Sequence, residues 1–156
     1  MKKILPITIM SLLLDQLIKT IVINNMNLFD SINIINNFFS VTYVRNTGAA
    51  WSILSGNVFF LILISIIALV LIYIYFIKNK KLTKLENISY GLLIGGILGN
   101  LIDRIIHGYV IDYLDFKIIN YDFPIFNIAD ISIVVSIILI GITLLVGDEN
   151  ARNKNK

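Results

Sequence analysis

Ten acidic side chains, one histidine and no cysteine bound the chemistry this chain can perform. Without cysteine there is no thiolate nucleophile, no disulfide framework and no Cys-based zinc or iron–sulfur site. His107 alone cannot build a zinc site, and no His-Glu-x-x-His pattern occurs, so neither metal catalysis nor a cofactor is expected. A Ser-His-Asp constellation is missing as well. Acid–base work by paired carboxylates is the simplest chemistry left. Two aspartates about 3 Å apart cannot both ionise, so one keeps a proton while the other activates water. Asp103, Asp112, Asp115, Asp122 and Asp130 are all candidates for such a pair. Residue type alone does not choose among them, and for a single loop aspartate a solvated charge is the commoner role.

The elements that must position these groups are membrane spans. Of the 156 residues 57% are hydrophobic and 15% charged, far more apolar than a soluble domain of this size. A spanning helix needs about 20 mostly apolar residues. Four stretches qualify: Ile4–Ile23, Val58–Ile77, Ile88–His107 and Ile128–Gly147. The second carries no charge; the others hold polar residues that must face protein or water. The net charge of +3 would suggest nucleic acid in a soluble protein. Here the basic residues flank apolar runs, where orienting the chain explains them and no nucleic-acid partner is expected. Lys2 and Lys3 ahead of the first run resemble a signal peptide, but no small-x-small cleavage site follows, so a retained helix is expected. Asp15 and Lys19, four apart, share one face of that helix and can pair.

Lys78, Lys80, Lys81 and Lys84 lie between spans two and three, and Arg152, Lys154 and Lys156 in the tail, whereas the other two loops carry only Arg45 and Lys117. The positive-inside rule therefore puts both termini in the cytoplasm and segments 24–57 and 108–127 outside. With that orientation Asp15, Lys19, Asn100, Asp103, Arg104 and Asp130 all fall in outer halves of spans, and the inner halves hold only Thr, Ser, Tyr and Gly as polar or small residues. A channel or pump would carry polar groups along its whole route. The pattern predicts a one-sided pocket.

In the first outer loop Phe38–Asn46 alternates apolar and polar residues and reads as a strand, followed by a small-residue turn. The second outer loop, FKIINYDFPIF, suits a short strand pair or a position in the membrane interface. The expected architecture is an all-α membrane protein, one domain over residues 1–156, with four transmembrane helices and a small extracytoplasmic β-sheet. Gly91, Gly95 and Gly99 make a face for close helix packing. Asn100, Asp103 and Arg104 follow on a polar surface, either functional or tethering helices through an Asp103–Arg104 or Arg104–Asp15 ion pair.

Five blocks in order, D-Q-L-I-K (Asp15–Lys19), N-T-G-A-A-W (Asn46–Trp51), G-N-L-I-D-R (Gly99–Arg104), V-I-D-Y (Val110–Tyr113) and F-N-I-A-D (Phe126–Asp130), give a chain that resembles the type II signal peptidases, the bacterial lipoprotein signal peptidases. The resemblance runs along nearly the whole chain. It implies the choice that residue types leave open: Asp112 and Asp130 match the family's catalytic dyad. It further implies that Asn46, Asn100, Arg104 and Asn127 line or support the site, that Asp15 helps hold it, and that Asn46 and the turn through Gly48 hold extended peptide. Trp51 and Tyr113 stand where phenylalanine is usual, which bears on substrate fit. The implied reaction is metal-independent aspartyl endoproteolysis of a prolipoprotein just before its diacylglyceryl-cysteine, in the bacterial cytoplasmic membrane, by a monomer whose other partners are membrane lipids and whose active site faces outward. A small membrane carrier and a non-catalytic membrane scaffold are the alternatives.

Overall fold

The computed structural model describes residues 3–49, 54–78, 80–119 and 121–154. Among them, four helices are long and apolar enough to cross a membrane. Helix α1 (Ile4–Asn25) is followed by strands β1 (Ser31–Ile35) and β2 (Phe39–Asn46). Helix α2 (Val58–Leu71) continues as a π-helical turn through Ile72–Ile77, and α3 (Lys84–His107) leads into β3 (Val110–Ile118), β4 (Tyr121–Asp122) and α4 (Ile128–Lys154). The helical membrane fold with a small sheet is thus the architecture expected from sequence.

Helix α3 is the most enclosed of the spans and contacts each of the others. Its small-residue face explains how. A methyl group on Gly95 would stand 2.8 Å from Ser11 Cβ of α1, and one on Gly96 would stand 2.5 Å from the Ala129 carbonyl of α4. Lipid tails are as apolar as leucine, so close backbone approach and interhelical hydrogen bonds hold such helices together. Thr8 donates to the Gly91 carbonyl at 3.2 Å, and Ser11 to Ser132 at 3.0 Å. Helix α2, apolar all round, leaves most of its surface open to lipid.

Three helix boundaries lie beyond the expected ones, the smallest change being at α1, which ends at Asn25 rather than Ile23. Helix α3 begins at Lys84 rather than near Ile88, because Thr83 and Glu86 form a reciprocal capping box, with bonds of 3.2 and 2.7 Å. Helix α4 runs past Gly147 to Lys154, since Glu149, Ala151 and Arg152 are good helix formers.

The sheet caps one end of the bundle in the order β1-β2-β3-β4, all neighbours antiparallel. The expected strand at Phe38–Asn46 is β2, and the second loop forms a strand pair that starts earlier than FKIINYDFPIF. Its first strand opens at Val110, so Asp112 lies on a strand opposite Val44. Tyr43, Ile111 and Tyr113 from the sheet bury against Val22 near the end of α1. This apolar layer fixes the sheet over the helix ends, directly above the polar residues of α1 and α3.

Candidate active site

The turn into α4 brings the first carboxylate into place. Asn127 caps the helix through its side chain, whose Oδ1 accepts from the Asp130 N–H at 3.0 Å, while Asp130 Oδ2 accepts from the Asn127 N–H at 3.2 Å. This is a capping box written Asn-x-x-Asp. It also sets Asp130 in the first helical turn, where orphan amides favour negative charge.

The amide that caps with its oxygen reaches across with its nitrogen. Asn127 Nδ2 donates to Asp112 Oδ1 at 2.7 Å and to Asn100 Oδ1 at 3.1 Å. Asn100 Nδ2 donates to Asp130 Oδ1 at 2.7 Å, and Asn46 Nδ2 to Asp112 Oδ2 at 2.9 Å. All four carboxylate oxygens of Asp112 and Asp130 therefore accept from an amide. One residue, Asn127, binds both acids. Burial and the neighbouring Asp130 charge, opposed by the bonds from Asn46 and Asn127, push the Asp112 carboxyl up to about 7. A carboxyl of that kind is poised to exchange a proton at neutral pH.

Beneath this pair lies a second carboxylate pair with opposite treatment. Lys19 Nζ binds Asp15 at 2.8 Å and Asp103 at 2.9 Å, and donates to Asn100 Oδ1 at 3.0 Å, with all three charged side chains essentially inaccessible. The i, i+4 pair expected on α1 is present. Asp15 also accepts from the Ala129 N–H at 2.9 Å, satisfying an orphan donor of α4, and Asp103 accepts from the Ile111 N–H at 3.1 Å, fixing β3. Gln16 completes the cluster with bonds to Asp15, Asp103 and the Gly99 carbonyl.

Of the residues singled out from sequence, Asp15, Asn46, Asn100, Asp112, Asn127 and Asp130 form one connected network. Arg104 and Gly48 border it: Arg104 Nη2 donates to the Gly48 carbonyl at 2.9 Å, and the Gly48 N–H donates to Asn46 Oδ1 at 2.8 Å. The expected tethers through Arg104 are not what forms. Asp103 and Arg104 are adjacent and so point to different sides of α3, and Lys19 takes both Asp15 and Asp103. The other two candidate acids lie elsewhere, Asp115 accepting from Thr42 at 2.6 Å and Asp122 facing Lys117 at 3.5 Å on the exposed part of the sheet. Trp51 lies outside the described residues. Gln16 was not singled out, although a polar residue beside Asp15 in an apolar span was the available signal. Among the described residues no group of three or more His, Cys, Asp or Glu side chains is arranged to hold a metal ion.

Fold and site together define a multi-pass membrane protein with a buried carboxylate pair at one end of its helices. The family described as signal peptidase (SPase) II matches residues 7–146. The chain is 43% identical over 141 residues to the lipoprotein signal peptidase of Staphylococcus haemolyticus (strain JCSC1435), covering 90% of this chain and 89% of the relative. It is 45% identical over 139 residues to that of Staphylococcus carnosus (strain TM300), covering 89% and 87%. A solved structure described as a bacterial membrane enzyme obtained by the in meso method superposes with a TM-score of 0.88 at 41% identity, over 96% of this chain and 92% of that one. The chain belongs to the signal peptidase II family.

Proposed function

We infer that this protein removes signal peptides from prolipoproteins and that Asp112 and Asp130 carry out the cleavage as an aspartyl dyad without a metal ion. The observation that carries this reading is the Asn127 amide bound at once to Asp112 Oδ1 and, through the backbone, to Asp130 Oδ2. Such a bridge sets two acids side by side where they can share one proton. Residues 1–156 act as one peptidase domain in a monomer, embedded in lipid with both termini cytoplasmic and the sheet end outside, as the lysine distribution favours.

The substrate is a prolipoprotein whose cysteine bears a diacylglyceryl group, cut just before that cysteine. With its acyl chains in the leaflet and its signal helix running inward, the scissile bond lies at the depth of the sheet end. Water placed between the carboxyls gives a proton to the ionised member as its oxygen attacks the scissile carbonyl carbon. The protonated member, which the raised Asp112 carboxyl suits, donates to the carbonyl oxygen. When the tetrahedral intermediate collapses, the C–N bond breaks and the cysteine amine takes the proton held by the first acid. Asn46 and the Gly48 turn, pinned by Arg104, supply amide and carbonyl groups beside Asp112 that suit an extended peptide.

The test is cleavage of a diacylglyceryl-modified prolipoprotein by purified protein in detergent, with and without a chelator. Release of the signal peptide at equal rates in both supports the reading. Inactivation by the chelator contradicts the metal-free mechanism, and a folded protein without cleavage contradicts the activity.

A further inference from the structure

Arg45 is the one basic residue of segment 24–57, and neither the dyad nor the Lys19 cluster uses it. Strand alternation sends Val44 and Asn46 to the side of Asp112, and Arg45 to the side of its cross-strand partner Ile111. There its guanidinium is held by aromatic rings. Nε donates to the Tyr43 hydroxyl at 3.1 Å, and Cζ stands 4.7 Å from the centre of the Tyr109 ring and 5.9 Å from that of Tyr43. Tyr43 belongs to the buried layer with Val22 and Ile111, and Tyr109 packs against that layer, so the platform is itself anchored. The His107 ring stacks on Tyr109 at 5.6 Å and brings a further N–H donor whatever its charge. What the guanidinium lacks is an anion. Among the described residues Lys19 takes Asp15 and Asp103, Lys117 takes Asp122, and Arg45 has neither an acidic partner nor a hydrogen bond from either Nη.

We propose that Arg45 and His107, on the platform of Tyr43 and Tyr109, form a binding site for the phosphodiester of an anionic phospholipid in the leaflet at the sheet end of the bundle. Depth brings a headgroup there. His107 ends α3, one of the helices long and apolar enough to span, and Ile105 and Ile106 just before it are 61% and 67% exposed. Lipid chains that cover those isoleucines bring their phosphates level with His107 and Tyr109. A guanidinium stacked on an aromatic ring keeps its outer fork free, and that fork matches two phosphate oxygens. Because the rings already fix the side chain, less rotamer freedom is lost on binding than for a mobile lysine. A substrate carboxylate is a poorer fit, since Arg45 lies on the opposite face of the strands from Asp112. The proposal rests on the chain spanning a membrane and is independent of the peptidase reading.

The chain has no cysteine, which allows a single label beside the site. Ile106→Cys carries a bimane next to His107, and Phe59→Cys carries it at the start of α2, an 80% exposed position at the same end of the bundle. Each protein is reconstituted in phosphatidylcholine vesicles, and bimane fluorescence is followed as brominated phosphatidylglycerol or brominated phosphatidylcholine replaces the host lipid. At position 106 the quenching should show phosphatidylglycerol binding about fivefold more tightly than phosphatidylcholine, the worth of one basic side chain near an anionic lipid. At position 59 it should show no preference, and Arg45→Gln in the Ile106→Cys background should abolish the preference at 106. Equal binding of the two lipids at 106 would overturn the proposal, as would a preference of the same size at 59 or one that survives Arg45→Gln. Loss of the preference in millimolar inorganic phosphate would assign the site to a free anion and overturn it too. The comparison of the two positions needs no change at Arg45, so it stands if Arg45→Gln fails to fold.

Discussion

The two carboxylate pairs of this protein are neighbours, yet their surroundings differ in kind. Asp15 and Asp103 are joined by a cation, Lys19, and each also accepts a backbone N–H from the element it secures. Asp112 and Asp130 are joined by a neutral amide, Asn127, and receive further amide donors from Asn46 and Asn100. A cation holds two buried carboxylates by charge-assisted bonds; an amide orients a carboxyl while leaving its proton free to move. On the proposed reading the first pair holds the fold and the second transfers protons. Asn100 connects them, because Lys19 can only donate, which obliges Asn100 to turn its oxygen to Lys19 and its nitrogen to Asp130.

The largest effect expected from breaking this contrast is on cleavage. Asp112→Asn or Asp130→Asn keeps shape but removes a proton carrier, and single-turnover cleavage should fall by about 10²–10⁴-fold, the usual worth of a general acid or base. Lys19→Met should act in the other direction, leaving Asp15 and Asp103 buried without a counter-ion. Loss of one member of a buried pair costs about 3–5 kcal/mol, read as a lower thermal midpoint in detergent. An unchanged midpoint would show that the cluster is not a tether.

A smaller and more selective effect is expected at Asn46. Its bond favours the ionised form of Asp112, so Asn46→Ala should raise that carboxyl further. In the parent, cleavage needs one proton on the pair and should fall as pH rises through about 7, where Asp112 loses its proton. In Asn46→Ala the alkaline fall should move to higher pH, and a limb that stays in place or moves down would remove Asn46 from the dyad's control. Smallest of all, Asp122→Asn on the exposed sheet should leave both cleavage and midpoint within about 0.5 kcal/mol of the parent, because its ion pair with Lys117 is at the surface.

Much of the scaffold is legible from local pattern. Charge-free or nearly charge-free runs of spanning length give the four helices, the i, i+4 spacing gives Asp15–Lys19, and alternation gives β2. What local pattern does not give is long-range or two-sided. The four residues from Val110 to Tyr113 are buried on both faces, so no alternation marks the strand that carries Asp112. The partnership of Lys19 with Asp103 crosses from α1 to α3, and only the packing of Gly95 and Gly99 on α1 brings them together. Depth and residue type reduce the acids to five candidates; the choice of Asp112 and Asp130 comes from resemblance in V-I-D-Y and F-N-I-A-D. The capping box in Asn127–Asp130 is readable in sequence as a helix start, but its free amide nitrogen gains its meaning only when β3 delivers Asp112.

The most direct test measures thermal midpoint and single-turnover cleavage on the same preparations of Asp112→Asn, Asp130→Asn, Asp15→Asn and Asp103→Asn. The division of roles predicts that the first two lose cleavage by at least about 10²-fold with midpoints at or above the parent's. The last two should lose midpoint, with cleavage falling only as far as the folded fraction falls. Cleavage that survives in Asp112→Asn or Asp130→Asn, or a loss in either that merely tracks unfolding, would contradict the assignment of the dyad.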